Sequence, residues 1–223
     1  ADDGVHSGEL WSSDGTEDGT QMVKDINRYR EGMPPLTDTL YNRYISSHVL
    51  MGTDTLLYFT VPNRFSSPGS TLWRSDGSES GTQRIFPSIG NDSETWVSDH
   101  GQVGDLLFFL ADSVTNAGIW QTDGSVSGTH LVDPQPARMV LVGDLIYFIE
   151  SSLGSSPIVY TLWKLDPLSN TKTKVKTFTE NYSVDFYLFS IDGALYLVHD
   201  QVDTLSLWKS NDAISDLSLV KTI

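Results

Sequence analysis

The chain has 223 residues, no cysteine, and 29 acidic against 14 basic side chains, for a formal charge of -15. That balance repels phosphate backbones and argues against nucleic acid as a partner, while the absent cysteines exclude disulfides, zinc–thiolate centres and a thiol nucleophile. With 39% hydrophobic and 11% aromatic residues the chain can bury a core, and no apolar run approaches the ~18 residues of a membrane helix.

In chain order, "ADDGVHSGELWSSDGTEDGTQMVKDI" occupies residues 1–26. It has no basic end and no apolar stretch, so any signal peptide is expected to be gone already. Its "GELWSSDGTEDGT" returns as "STLWRSDGSESGT" and "AGIWQTDGSVSGT", then more loosely as "YTLWKLDPLSNT" and "LSLWKSNDAISD". The equivalent tryptophans are Trp11, Trp73, Trp120, Trp163 and Trp208, spaced by 62, 47, 43 and 45 residues. The last three spacings fall near the ~40–50 residue period of propeller blades. The first is longer, so an insertion is placed at 27–47. Trp96 lies outside the series.

Each full period reads as four strands. In the third these are "ARMVLVGD" (137–144), "LIYFIESS" (145–152), "YTLWKLD" (160–166) and "TKTKVKTF" (171–178). The second strands, "LLYFTV", "LLFFLA", "LIYFIE" and "ALYLVH", are continuously apolar and aromatic. Such strands are expected to be buried on both faces, as in a sheet sandwiched between neighbours. The turns before them carry Gly and Asp, which supply the positive φ of short hairpins. No stretch shows sustained helical periodicity, so almost no helix is expected. Four-stranded meanders repeated radially make a β-propeller. The expected architecture is therefore all-β and propeller-type. It comprises a half repeat at 1–26, the insertion at 27–47, and four further repeats over 48–223, all in one domain.

The tryptophan of each third strand is expected to fill space between adjacent sheets. Asp14, Asp76 and Asp123 open the turn that follows, where an Asp can bond the N–H groups of its own turn and the next Gly can adopt positive φ. The second Gly-Thr restarts the extended chain. In the later copies Asp-Gly becomes Asp166-Pro167 and Asn211-Asp212. Turn formation survives such drift within one chain; catalysis would not.

These residues resemble the ELWxxDGT repeats of large, mostly secreted or surface-attached bacterial proteins. The segment 1–26 matches that pattern almost letter for letter, the second and third copies well, and the fourth and fifth mainly in Leu-Trp and spacing. The resemblance implies a propeller-like repeat fold, export, and an extracellular or cell-surface role without defined chemistry. In that pattern "ADDGVH" follows a second strand directly, so the sequence is expected to open in mid-blade, and three solutions stay open: the hairpin packs as a thin fifth blade beside the C-terminal one, it pairs with strands of another copy, or its missing strands lie upstream.

The remaining candidates are weighed on residue type. Carboxylates abound (Asp2, Asp3, Glu17, Asp18, Asp25, Asp112, Asp200, Asp203), yet none form the single non-repeating pair a glycosidase requires. No cofactor is expected; calcium is the one metal considered, at Asp2, Asp3 and Glu9 or at Asp112 and Asn116, although no Asp-x-Asp-x-Asp-Gly run is present. The five histidines (His6, His48, His100, His130, His199) show no metal-ligand spacing. Asn91 and Asn181 stand in Asn-x-Ser sequons, in connections expected to be exposed. The insertion holds Arg28, Tyr29, Arg30, Tyr41, Arg43 and Tyr44 in an otherwise acidic chain. Tyr and Arg dominate binding hot spots, which makes this segment the expected binding loop. The expected function is a non-catalytic structural or interaction module whose partners are other subunits or copies of itself. A carbohydrate-binding propeller comes second, and a glycan-active hydrolase third.

Overall fold

The computed structural model describes residues 3, 6, 8–26, 46–62, 70–86, 96–112, 117–134, 136–152, 154–210 and 216–223. Among these residues there is no helix; every element is a strand. The chain divides into two compact units. One comprises Ala1–Ser98 with Asp112–Asn116 and Gly124–Thr129, the other Asp99–Ala111, Ala117–Asp123 and His130–Ile223.

The first unit contains a two-stranded hairpin, β1 (Leu10–Ser12) with β2 (Gln21–Lys24). It also holds a four-stranded sheet of β3 (Ser46–Gly52), β4 (Leu57–Pro62), β5 (Ser70–Ser75) and β6 (Gln83–Phe86), in that order. The second unit is built on three further sheets. They are β7 (Trp96–Val103) to β10 (His130–Asp133), by way of β8 (Leu106–Asp112) and β9 (Gly118–Thr122); β11 (Pro136–Val142), β12 (Leu145–Ser151), β13 (Ile158–Asp166) and β14 (Thr171–Glu180); and β15 (Asp185–Ile191), β16 (Ala194–Asp200), β17 (Leu205–Ser210) and β18 (Leu217–Thr222). Each sheet is an antiparallel meander.

Within the second unit the sheets stack face to face on two apolar clusters. Val103, Phe108, Leu110 and Ile119 meet Met139, Ile146, Phe148 and Leu165 across one contact, with Val132 and Trp163 at its margin. Tyr147, Ile149, Tyr160, Leu162 and Phe178 meet Phe186, Leu195, Leu197 and Leu217 across the next, with Val175 and Trp208 at its margin. In both contacts the tryptophan belongs to the later sheet and points back at the earlier one. The core strands β8 and β12 are buried on both faces along most of their length, as their unbroken apolar sequences require. β16 departs from that expectation. Leu195, Leu197 and His199 are buried, whereas Ala194, Tyr196, Val198 and Asp200 are half-exposed. Among the described residues only one face of the β15–β18 sheet is covered, and its other face leaves Tyr187, Phe189 and Ile191 exposed.

One irregularity recurs in all five hairpins formed by a tryptophan strand and its successor. The register shifts between Leu10 and Trp11, Leu72 and Trp73, Leu162 and Trp163, and Leu207 and Trp208. In the β9–β10 pair it shifts opposite Ile119 and Trp120. The extra residue falls on the second strand and is β-branched every time: Val23, Ile85, Val132, Val175 or Val220. A β-bulge of this kind turns over the side-chain alternation beyond it. Lys174 pairs with Trp163 but Lys176 pairs with Leu162, so two lysines spaced by two residues point to opposite faces.

The bulge yields a direct prediction. Val175→Ala should cost about 1–2 kcal/mol for the methyl groups removed from the sheet contact. Deleting Val175 should cost no more than about 3 kcal/mol, because it removes the bulge yet leaves Lys174 opposite Trp163 and Lys176 opposite Leu162 in plain alternation, so Phe178 keeps its face. Urea unfolding of the two variants measures the difference.

Candidate functional site

The repeated turn after each tryptophan is the densest polar feature of the fold. In the first copy the Asp14 carboxylate accepts the Thr16 N–H at 2.9 Å and the Thr16 hydroxyl at 2.7 Å. The Gly19 N–H donates to Thr16 Oγ1 at 2.9 Å, the Thr20 hydroxyl donates to Thr16 O at 2.6 Å, and the Ser13 and Thr20 hydroxyls meet at 2.6 Å. The second copy repeats this with Asp76, Ser78, Gly81, Thr82 and Ser75. In the third, Ser125 receives the Gly128 N–H and the Thr129 hydroxyl donates to Ser125 O. The first glycines, Gly15, Gly77 and Gly124, take φ of +91°, +88° and +89°. The second glycine has a different cause, which sequence reading missed. A Cβ on Gly19 or Gly81 would coincide with the carboxylate of Asp14 or Asp76. The aspartate occupies the volume of the missing side chain.

These hydrogen bonds hold the Asp14 and Asp76 carboxyls below the ordinary carboxylate range, the Thr16 and Ser78 hydroxyls contributing most. Asp166 is lowered in the same way within its shorter turn. The carboxylates are engaged by their own loops.

Lys172 anchors a second polar cluster, in the second unit. Its ammonium donates to Asp133 Oδ2 at 2.8 Å and Glu150 Oε1 at 2.6 Å, and lies 4.6 Å from the Trp163 ring centroid and 5.0 Å from that of Phe148. Burial works against the ammonium, but the hydrogen bonds to Asp133 and Glu150 outweigh it and raise the lysine pKa. Burial also pushes the Asp133 carboxyl up, against the pull of Lys172. The group ties β10 to β14 and encloses Trp163, whose Nε1 is buried without a hydrogen-bond partner. A cation over an indole with two carboxylates behind it is a fastening between sheets. The signal in the sequence was the alternation Lys172, Lys174, Lys176, a cationic run in an acidic chain.

A third group surrounds His199, which is 5% exposed. Its ring stacks on Phe186 at 4.5 Å and meets Phe178 at 5.2 Å. Its Nε2 lies 3.3 Å from Glu180 Oε1 without hydrogen-bond alignment. Burial lowers the imidazole pKa, against the charges of Glu180 and Asp200.

An open cleft of about 330 Å³ lies in the first unit, lined by Leu10, Trp11, Val23, Thr53, Leu56 and Asp76 among others. Its Asp76 and Thr53 oxygens are hydrogen-bonded within their own turns.

The sequence candidates fall as follows. Arg28, Tyr29, Arg30, Tyr41, Arg43, Tyr44 and Asn91 lie outside the described residues. Asn181 is exposed between β14 and β15. Of the calcium candidates, Asp2 and Asn116 are outside the described residues. Asp3 binds His6 through its N–H at 2.8 Å and Nδ1 at 2.6 Å. Glu9 is buried and accepts the Ile26 N–H at 2.9 Å. Among the described residues no three His, Asp or Glu side chains stand close enough to hold a metal ion. Trp11, Trp73, Trp120, Trp163 and Trp208 are all half-buried; Trp73 stacks on Phe59, and Trp163 and Trp208 pack at the margins of the sheet contacts under lysines.

No protein-family model matches this chain. No curated protein matches it either. Among solved structures it is similar to a puromycin hydrolase (14% identity, TM-score 0.51), covering 74% of this chain and 26% of that one. It is also similar to a prolyl endopeptidase (11%, TM-score 0.53; 76% and 25%) and to TolB from Acinetobacter baumannii (16%, TM-score 0.45; 74% and 40%). The chain thus spans about a quarter of the length of the first two. At such identities the likeness is one of fold alone, and that fold is propeller-type: all-β, built of antiparallel four-stranded sheets.

Two predictions follow from the site geometry. Gly81→Ala should destabilise by about 1–3 kcal/mol, an overpacking cost, while Asp76→Asn is mild. Combining Gly81→Ala with Asp76→Ala should recover part of the loss, because the methyl then finds space; thermal unfolding of the four-member cycle gives the coupling. The second prediction concerns acid. The folded state holds His199 below its ordinary pKa of 6.5, so the unfolded chain takes up the proton first. Stability should therefore fall as pH drops below about 6.5 and level off below the lowered folded value. His199→Phe should flatten the fall in melting temperature as pH drops below about 6.5.

Proposed function

We propose that this chain is a non-catalytic interaction module of the ELWxxDGT repeat type. In this reading it holds four full propeller repeats and an N-terminal half repeat, and acts at the cell surface or outside the cell as part of a larger assembly. The observation that carries the reading is the exposed apolar face of the β15–β18 sheet. Tyr187, Phe189 and Ile191 are 39%, 47% and 52% exposed side by side on β15, and contiguous patches of this kind mark association surfaces. The repeated carboxylates and indoles, by contrast, are engaged in turns and sheet stacking. The insertion residues Arg28, Tyr29, Arg30, Tyr41, Arg43 and Tyr44 make a second proposed contact surface. A carbohydrate-binding role draws support from the open cleft lined by Leu10, Val23, Thr53 and Asp76.

A panel of chromogenic glycosides and peptide substrates, run beside a glycan array on the same preparation, tests this. The module reading predicts no turnover and no glycan signal. Turnover would replace it with an enzyme; glycan binding abolished by Trp11→Ala would replace it with a lectin.

A further inference from the structure

The repeat itself shows what the exposed face of the β15–β18 sheet is shaped to receive. On the β11–β14 sheet, the half made of β13 and β14 offers Leu162, Val175, Lys176 and Phe178 to the following sheet. Trp208 enters among them: Lys176 Nζ lies 4.5 Å from its ring centroid, and Phe178 meets it edge-on at 5.7 Å. Aligned by register, the same positions on the β15–β18 sheet are Leu207, Val220, Lys221 and Ile223. Leu162 pairs with Lys176 as Leu207 pairs with Lys221. Val175 and Val220 are the bulge residues of their strands. Phe178 lies opposite Tyr160, and Ile223 bonds to Leu205, one step further along the same rows. Val132 and Val175 are packed against the next sheet, yet Val220 is 54% and Ile223 75% exposed. The receptor for an incoming tryptophan is built, lysine included, and it is open.

The β1–β2 hairpin carries the matching surface. Across its bulge, Leu10 pairs with Lys24 and Trp11 with Met22, so these pairs face opposite ways. Lys24 reaches the β5–β6 turn of its own unit, donating to Thr82 O at 2.7 Å and Glu79 O at 3.1 Å. Trp11 and Met22 occupy the other side, the side by which Trp163 and Trp208 meet the sheet before them. The charges also complement. Residues 8–26 hold five carboxylates and one lysine, whereas the receiving half sheet presents Lys209 and Lys221, both exposed.

We propose that the open face of β17 and β18 docks the β1–β2 hairpin of a second copy of this chain, seating its Trp11 among Leu207, Val220 and Lys221. The contact rests on the interaction-module reading and specifies its partner. It is heterologous, joining two different surfaces, so it propagates head to tail instead of closing as a pair.

Light scattering over a wide concentration range, with two surface variants, tests it. Lys221→Glu with Ile223→Asp disables the receiving face at exposed positions. Trp11→Ala, and independently Met22→Asp, disables the hairpin. Wild-type chain should assemble with concentration, and each variant should weaken association at least tenfold while keeping its circular dichroism. Mixing a receiving-face variant with a hairpin variant should restore a one-to-one dimer and nothing larger, because one live surface of each kind remains. A wild-type chain that stays monomeric overturns the contact, and leaves the module reading to the substrate and glycan panels. Hairpin variants that still dimerise alone overturn it too, since the face would then pair with itself. Wild-type-like assembly of the receiving-face variant does the same.

Discussion

The fold depends on a single register step. Between an aliphatic residue and the tryptophan that follows, each hairpin inserts one extra β-branched residue in its second strand. Without the step, the second strand would keep strict alternation and its lysines would share a face. With it, the strand addresses two neighbours at once. Lys172 turns back to Asp133 and Glu150 across the earlier contact, and Lys176 turns forward over Trp208. Sheet stacking in the second unit is thus an apolar contact edged by cation–indole pairs, in which Trp163 and Trp208 are held by a charge as well as by packing.

That arrangement explains why the tryptophans are half-buried. These rings sit at the margins of the clusters, one side on aliphatic groups and one under an ammonium. Trp73 does otherwise: it stacks on Phe59 and donates its Nε1 hydrogen to Thr71 at 2.9 Å. The Thr71 hydroxyl takes the Trp73 N–H, whereas Nε1 of Trp163 and of Trp208 is buried without a hydrogen-bond partner and lysines of β14 lie over both rings.

Much of this was legible in the sequence, and the illegible parts share one cause. Tryptophan spacing and the apolar runs 106–111 and 145–150 located the strands, because burial on two faces leaves a composition signal that needs no partner to be named. The glycine and aspartate turns were legible for the same local reason. What could not be read was anything set by the bulges: period-two counting would put Lys174 and Lys176 on one face, and only pairing with Leu162 and Trp163 separates them. Nor could the half-exposed alternation of β16 be read, since "ALYLVH" is as apolar as its equivalents and differs only in what covers it. Gly19 and Gly81 belong to a third kind. Their φ angles are ordinary, and their reason lies in a carboxylate five residues earlier. Of the candidate site, the turn residues were visible in advance, whereas the Lys172 and His199 groups depend on which strands become neighbours.

The turn that closes around Asp14 or Asp76 bears on how such a chain grows. Its donors and acceptors lie within the eight residues from Ser13 to Thr20 or from Ser75 to Thr82. A segment that satisfies its own backbone can be duplicated without retuning whatever stands beside it. Aspartate and second glycine must then travel as a pair, since either alone leaves a hole or a collision. In a loop of full length the two stay together. Where the loop has shortened at 166–171, Asp166 persists without the glycine; where it has been rewritten at 211–216, both are gone. The motif is a cassette whose two ends need each other only at its full length.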